Sequence, residues 1–124
     1  MDLVWVGVGG FAGAIARYVI DGAVADLTQT SAFPWGTLVV NLSGAFLLGV
    51  LTTVIVDRAA LPAELRGPVL IGFIGAYTTF STLMLESWRL VEAGSYGLAV
   101  ANLAGSVGLG LAAVFAGLVI GRAI

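Results

Sequence analysis

Residues Gly72 to Leu83 read Gly-Phe-Ile-Gly-Ala-Tyr-Thr-Thr-Phe-Ser-Thr-Leu, four hydroxyls around one phenyl ring inside an apolar stretch. A helix facing lipid gains nothing from so many hydroxyls. A helix interrupted beside a protected polar path can use them, because freed backbone carbonyls and side-chain donors there can meet an ion. Thr37 and Asn41 are four apart and therefore share one helix face. The amide of Asn41 is costly to bury unless its two donors and its carbonyl find partners. Either it joins two helices or it turns a donor toward a permeating anion. Asn102 and Ser106 read as joining helices, and Ser43, Thr52 and Thr53 as hydroxyls bonded back to the preceding turn.

The elements that must position these residues are membrane spans. Of the 124 residues, 60% are hydrophobic and 10% charged, and the mean hydropathy is +1.09, too apolar for a soluble domain of this size. Four apolar stretches, Leu3 to Ile20, Trp35 to Val56, Pro68 to Leu85 and Tyr96 to Ile120, each approach the roughly 20 residues that cross a bilayer as helix. Charges and turn residues collect between them, at Asp21 to Pro34, Asp57 to Gly67 and Glu86 to Ser95. The expected fold is an all-α membrane protein, one domain over residues 1–124, with the third of its four helices broken at mid-membrane. The first stretch follows Met1-Asp2 with neither a basic segment nor a cleavage pattern ahead of Arg17, so a removable signal peptide is not expected.

The chain has no Cys and no His, which removes disulfides, thiolate chemistry, imidazole ligation and a His-based triad. All five cations are scattered arginines and the net charge is −2, so no basic patch invites nucleic acid. Arg58, Arg66 and Arg122 fall on the side of the termini and Arg17 and Arg89 on the other, almost no bias. Insertion in both orientations is therefore expected, which lets two copies meet head to tail. Small residues four apart, at Gly9 and Gly13, Gly72 and Ala76, Ala101 and Gly105, and Gly108, Ala112 and Ala116, mark faces where helix backbones approach closely. Carbonyls released from two third spans crossing at the centre of such a pair would form a hard oxygen cage suited to an alkali cation.

Three segments carry a family resemblance: Gly9-Gly-Phe-Ala-Gly-Ala-Ile-Ala-Arg17-Tyr18, Gly36-Thr37-Leu-Val-Val-Asn41, and Gly72 through Thr82 with Glu86 following. In order and spacing they closely resemble the Fluc/CrcB fluoride channels, and the likeness covers all four spans. The resemblance implies an antiparallel, dual-topology dimer in the plasma membrane, with two fluoride pathways that export the ion passively and a structural sodium at the centre. It implies that the backbone carbonyls of Gly75 and Thr78 hold the sodium. Asn41 corresponds to the pore amide, Phe80 to the first of two pore phenylalanines, and Thr37, Ser81 and Thr82 to a hydroxyl track. Arg17 and Glu86 correspond to residues near the pore entrance and beyond the break. Fluoride is small and strongly hydrated, and neutral donors can replace its water without trapping it as a buried arginine would.

One position departs from the family pattern. Leu83 stands where a second phenylalanine is expected, and leucine lacks the positive ring edge that can face an anion. A pathway working with Phe80 alone, a homologous partner that supplies the ring, and a weakened pore are the readings this leaves. A proton-coupled exporter would need a carboxylate inside a span, whereas Asp2, Asp21, Asp26, Asp57, Glu64, Glu86 and Glu92 lie in loops or near span ends. A purely structural membrane subunit would conduct nothing.

Overall fold

The computed structural model describes residues 2–124; Met1 and the side chain of Asp2 lie outside the described residues. Helix α1 covers Asp2–Leu27 and α2 Trp35–Thr52, the latter continued by a π-helical turn over Thr53–Asp57. A short 3-10 turn at Ala63–Leu65 leads into a π-helical run over Arg66–Ile74, whose hydrogen bonds reach one residue further than in an α-helix. Helix α3 (Gly75–Tyr77) follows, then α4 (Phe80–Glu92) and α5 (Tyr96–Ala123). Four helical stretches, Leu3–Leu27, Trp35–Asp57, Ala63–Glu92 and Tyr96–Ala123, are long and apolar enough to cross a membrane.

The first and third spans run well past the expected ends of their apolar stretches. Residues 21–27 continue α1 where a loop is expected, and Glu86 to Glu92 continue α4. The reason is local. Asp21 lies against Gly36 of α2, where a Cβ would meet its carboxylate and its carbonyl, and the turn after α4 is set by Gly94, whose φ of +79° suits glycine. Its neighbours close that turn through Ser95 N to Leu90 O at 2.8 Å and Gly94 N to Val91 O at 2.9 Å, the double bond pattern of a glycine-terminated helix.

Glycines set how the spans meet. A Cβ at Gly9 would strike the Pro68 carbonyl and one at Gly13 the Phe73 carbonyl, so α1 and the π-helical run lie backbone to backbone and run in the same direction. A Cβ at Gly49 would meet Val114 O, one at Gly117 Phe46 O, and one at Gly121 the Thr53 side chain, so α2 and α5 also lie in contact and run parallel. We expect Gly49→Ala to lower stability by about 1–3 kcal/mol, because the new methyl meets backbone that cannot swing away. Gly22→Ala, with open space at its Cβ, should be neutral or slightly stabilising; melting temperatures in detergent compare the two.

The core is small. Leu38, Val40, Ile55, Ile74, Tyr77, Leu83, Leu90 and Ala99 are its buried hydrophobic residues, while Phe11, Ile71, Trp88, Leu111 and Phe115 are among many large apolar side chains left exposed. A surface of that kind calls for lipid or another apolar partner.

Candidate functional site

Helical bonding stops at Tyr77 and resumes at Phe80. Between them Thr78 (φ −82°, ψ 156°) and Thr79 (φ −147°, ψ 118°) are extended. The step rests on α2. Gly44 leaves room for the Thr78 methyl and the Tyr77 ring, and Tyr77, buried and stacked on Phe73 at 6.0 Å, shares a 2.9 Å hydrogen bond between its hydroxyl and Ser43 Oγ. Asn41 grips the backbone itself: Thr79 N donates to Asn41 Oδ1 at 2.8 Å, and Asn41 Nδ2 donates to Thr79 O at 3.1 Å. The amide thus imitates a strand neighbour for one residue.

This bonding redistributes the backbone groups of the step. In a continuous helix Thr79 N would donate to Gly75 O and Thr82 N to Thr78 O. Here Thr79 N is taken by Asn41, and Thr82 N donates to Thr79 Oγ1 at 3.2 Å, so the carbonyls of Gly75 and Thr78 are deprived of their helical donors. The Ala76 carbonyl, which would otherwise serve Phe80 N, accepts from Arg17 Nε at 3.0 Å. Arg17 is therefore beside the step and not at the end of its span, since α1 continues to Leu27.

Thr79, one of the four hydroxyls of the third-span string, organises the start of α4. Its Oγ1 caps Thr82 N, donates to Thr82 Oγ1 at 2.9 Å and lies 3.5 Å from Ser81 Oγ. The readable signal was a threonine immediately before a helix. Thr78 spends its hydroxyl on Ile74 O at 3.0 Å, leaving Thr79, Ser81 and Thr82 as the linked hydroxyls. Phe80 is 75% exposed and points out of the chain, whereas Leu83, three residues on, is 8% exposed and packed inside it. Leu83 therefore occupies a closed position within its own chain.

Thr37 and Glu86 come together some distance along the bundle. Glu86 lies alongside Thr37, and neither Thr37 Oγ1 nor Glu86 Oε1 has a hydrogen-bond partner in the chain although both atoms are buried. Glu86 also lines a cavity of about 520 Å³ with Asp21, Ser31, Trp35 and Arg89, where the α1–α2 loop meets the α4–α5 turn. Asn102 does join helices. Its Nδ2 donates to Ser87 Oγ at 2.9 Å, and Ser87 donates to Leu83 O at 2.7 Å. The buried Oγ of Ser106 has no partner in the chain. Ser43 and Thr53 bond back to Val40 O and Gly49 O.

The family model described as CrcB-like protein, Camphor Resistance (CrcB), matches residues 4–118. This chain belongs to the CrcB-like family. Among curated CrcB-like relatives, the fluoride-specific ion channel FluC of Magnetococcus marinus is 47% identical over 124 residues, all of both chains. That of Solidesulfovibrio magneticus is 45% identical over 97% of this chain and 95% of its own, and that of Maridesulfovibrio salexigens 40% identical over 97% and 94%. The CrcB-like chain is a multi-pass membrane protein of a channel family and not an enzyme.

Proposed function

We propose that this chain is a fluoride-selective channel that lets fluoride leave the cell passively and so relieves its toxicity. The observation that carries the reading is the extended Thr78–Thr79 step clamped by Asn41, in a chain whose full-length relatives are named for fluoride-specific conduction. Around the step stand neutral donors, Ser81, Thr82 and the second N–H of Asn41, with the outward ring of Phe80 beside them. Together with Thr37 farther along, these groups can replace fluoride's water in stages, while none carries the full charge that would hold it. Larger anions gain less from donors fixed at that spacing.

The working unit in this reading is an antiparallel pair of copies in the plasma membrane, with two pathways and the third span broken at mid-membrane. Ala101, Gly108, Ala112 and Ala116 of α5 face away from their own bundle, and Gly105 and Gly108 have no atom within 4 Å of a built Cβ, so a small-residue face stays open for a second backbone. A structural sodium at the pair's centre fits the residues present: the carbonyls of Gly75 and Thr78 lack their helical donors, and hard oxygens suit an alkali cation. When bound, the ion would neutralise converging carbonyl dipoles.

The test is fluoride efflux from liposomes that contain only this purified protein, with chloride efflux measured in parallel. Expected are rapid fluoride release without a proton gradient and chloride release at the level of empty liposomes. Fluoride release no faster than from empty liposomes would end the channel reading.

A further inference from the structure

Arg17 forms no ion pair among the described residues. Among the described residues the only ion pair is Arg89–Glu92 at 3.9 Å, exposed on α4. The Arg17 guanidinium is half-buried and spends its Nε–H on the Ala76 carbonyl, 59 residues away in sequence. That carbonyl is the one whose helical donor, Phe80 N, is carried off by the extended step. The placement follows from packing. Gly9 and Gly13 bring α1 onto the carbonyls of Pro68 and Phe73, and Arg17 lies one turn beyond Gly13, where the neighbouring segment ends at Tyr77.

From this we infer that Arg17 is a positioning residue: its Nε–H substitutes for the lost Phe80 amide, caps the end of α3 at Ala76 and so fixes the direction in which the nearby carbonyls of Gly75 and Thr78 are presented. A charged donor on a helix-terminal carbonyl makes a strong cap. With Ala76 occupied, the carbonyls of Gly75, Tyr77 and Thr78 are left without a helical donor. The guanidinium acts here through one N–H and not through its charge on a passing ion. The inference deepens the channel reading and rests on it where conduction is concerned.

Side-chain chemistry allows the donor and the charge to be separated. Glutamine carries a nitrogen on Cδ, the same number of bonds from the backbone as Arg Nε, and has no charge. Lysine keeps the charge but has a methylene at that place, and methionine has neither donor nor charge. Wild type, Arg17→Gln, Arg17→Lys and Arg17→Met are reconstituted for fluoride and chloride efflux and melted in detergent.

Arg17→Met is expected to lose about tenfold or more in fluoride flux, the scale of one strong hydrogen bond to a buried carbonyl. Arg17→Gln should recover most of that loss, with lysine falling below glutamine and melting temperatures following the same order. Four indistinguishable proteins, lysine matching wild type while glutamine matches methionine, or failure of glutamine to improve on methionine, would each overturn the inference. A wild type that conducts no fluoride sinks the channel reading instead, and the order of melting temperatures then decides the cap separately.

Discussion

Asn41→Ala is expected to cut fluoride efflux by about 10- to 100-fold. The side chain makes two bonds to one residue, accepting from Thr79 N at 2.8 Å and donating to Thr79 O at 3.1 Å. Truncation leaves both backbone groups unpartnered away from bulk water, at about 1–3 kcal/mol each, and a tenfold change in rate corresponds to about 1.4 kcal/mol. Part of the cost will be recovered by water or by local rewinding of the step, which is why the expected loss is smaller than the full sum. Asn41→Asp sharpens the test. It keeps an acceptor for Thr79 N but sets a carboxylate oxygen against Thr79 O, so it should fare no better than alanine. Flux of either variant equal to wild type would show that the amide does not hold the conducting geometry.

Phe80→Ile addresses the pathway without touching the scaffold. At 75% exposure within its chain, the ring contributes little to the bundle, and isoleucine and phenylalanine have similar helix propensities. Melting temperature and elution volume should stay at wild-type values. Fluoride flux should fall about tenfold or more, because the ring edge carries the partial positive charge that an aliphatic side chain lacks. The loss should be steep because Leu83, at the position of a second ring, is packed inside its own chain and offers no aromatic edge. Retained flux alongside unchanged folding would take Phe80 out of the pathway.

The four spans were legible because length and apolarity report membrane crossing directly. Their ends were less so. Charged residues at 21, 26, 86, 89 and 92 suggested loops, yet all five are helical, since a helix need not stop where the bilayer does and Asp21 has a fitted place against Gly36. The π-helical runs at Thr53–Asp57 and Arg66–Ile74 had no sequence signal, because apolar residues on all sides hide whether bonds reach four residues or five.

In the candidate site, the chemical types were readable and the partnerships were not. The hydroxyl string of the third span announced donors. It did not announce that Asn41 would bond Thr79 from 38 residues away, or Arg17 bond Ala76 from 59. Such pairings depend on which spans lie side by side, and small residues allow close approach without naming a partner. Two alternatives left open for Asn41, joining helices or facing an anion, are compatible in the same side chain. One N–H and the carbonyl serve Thr79, and the other N–H is free of it.

Both residues that clamp the extended step precede it in the chain, at positions 17 and 41 against 76 and 79. Synthesis proceeds from the N-terminus, so the nascent polypeptide has already delivered its guanidinium and its carboxamide to the bilayer when the unwound peptide groups emerge from the ribosome. Those groups need never wait in hydrocarbon unaccompanied. A permuted gene that placed residues 63–92 first would send them into the translocon before their chaperoning neighbours existed, which makes the order of translation itself part of how this fold is reached.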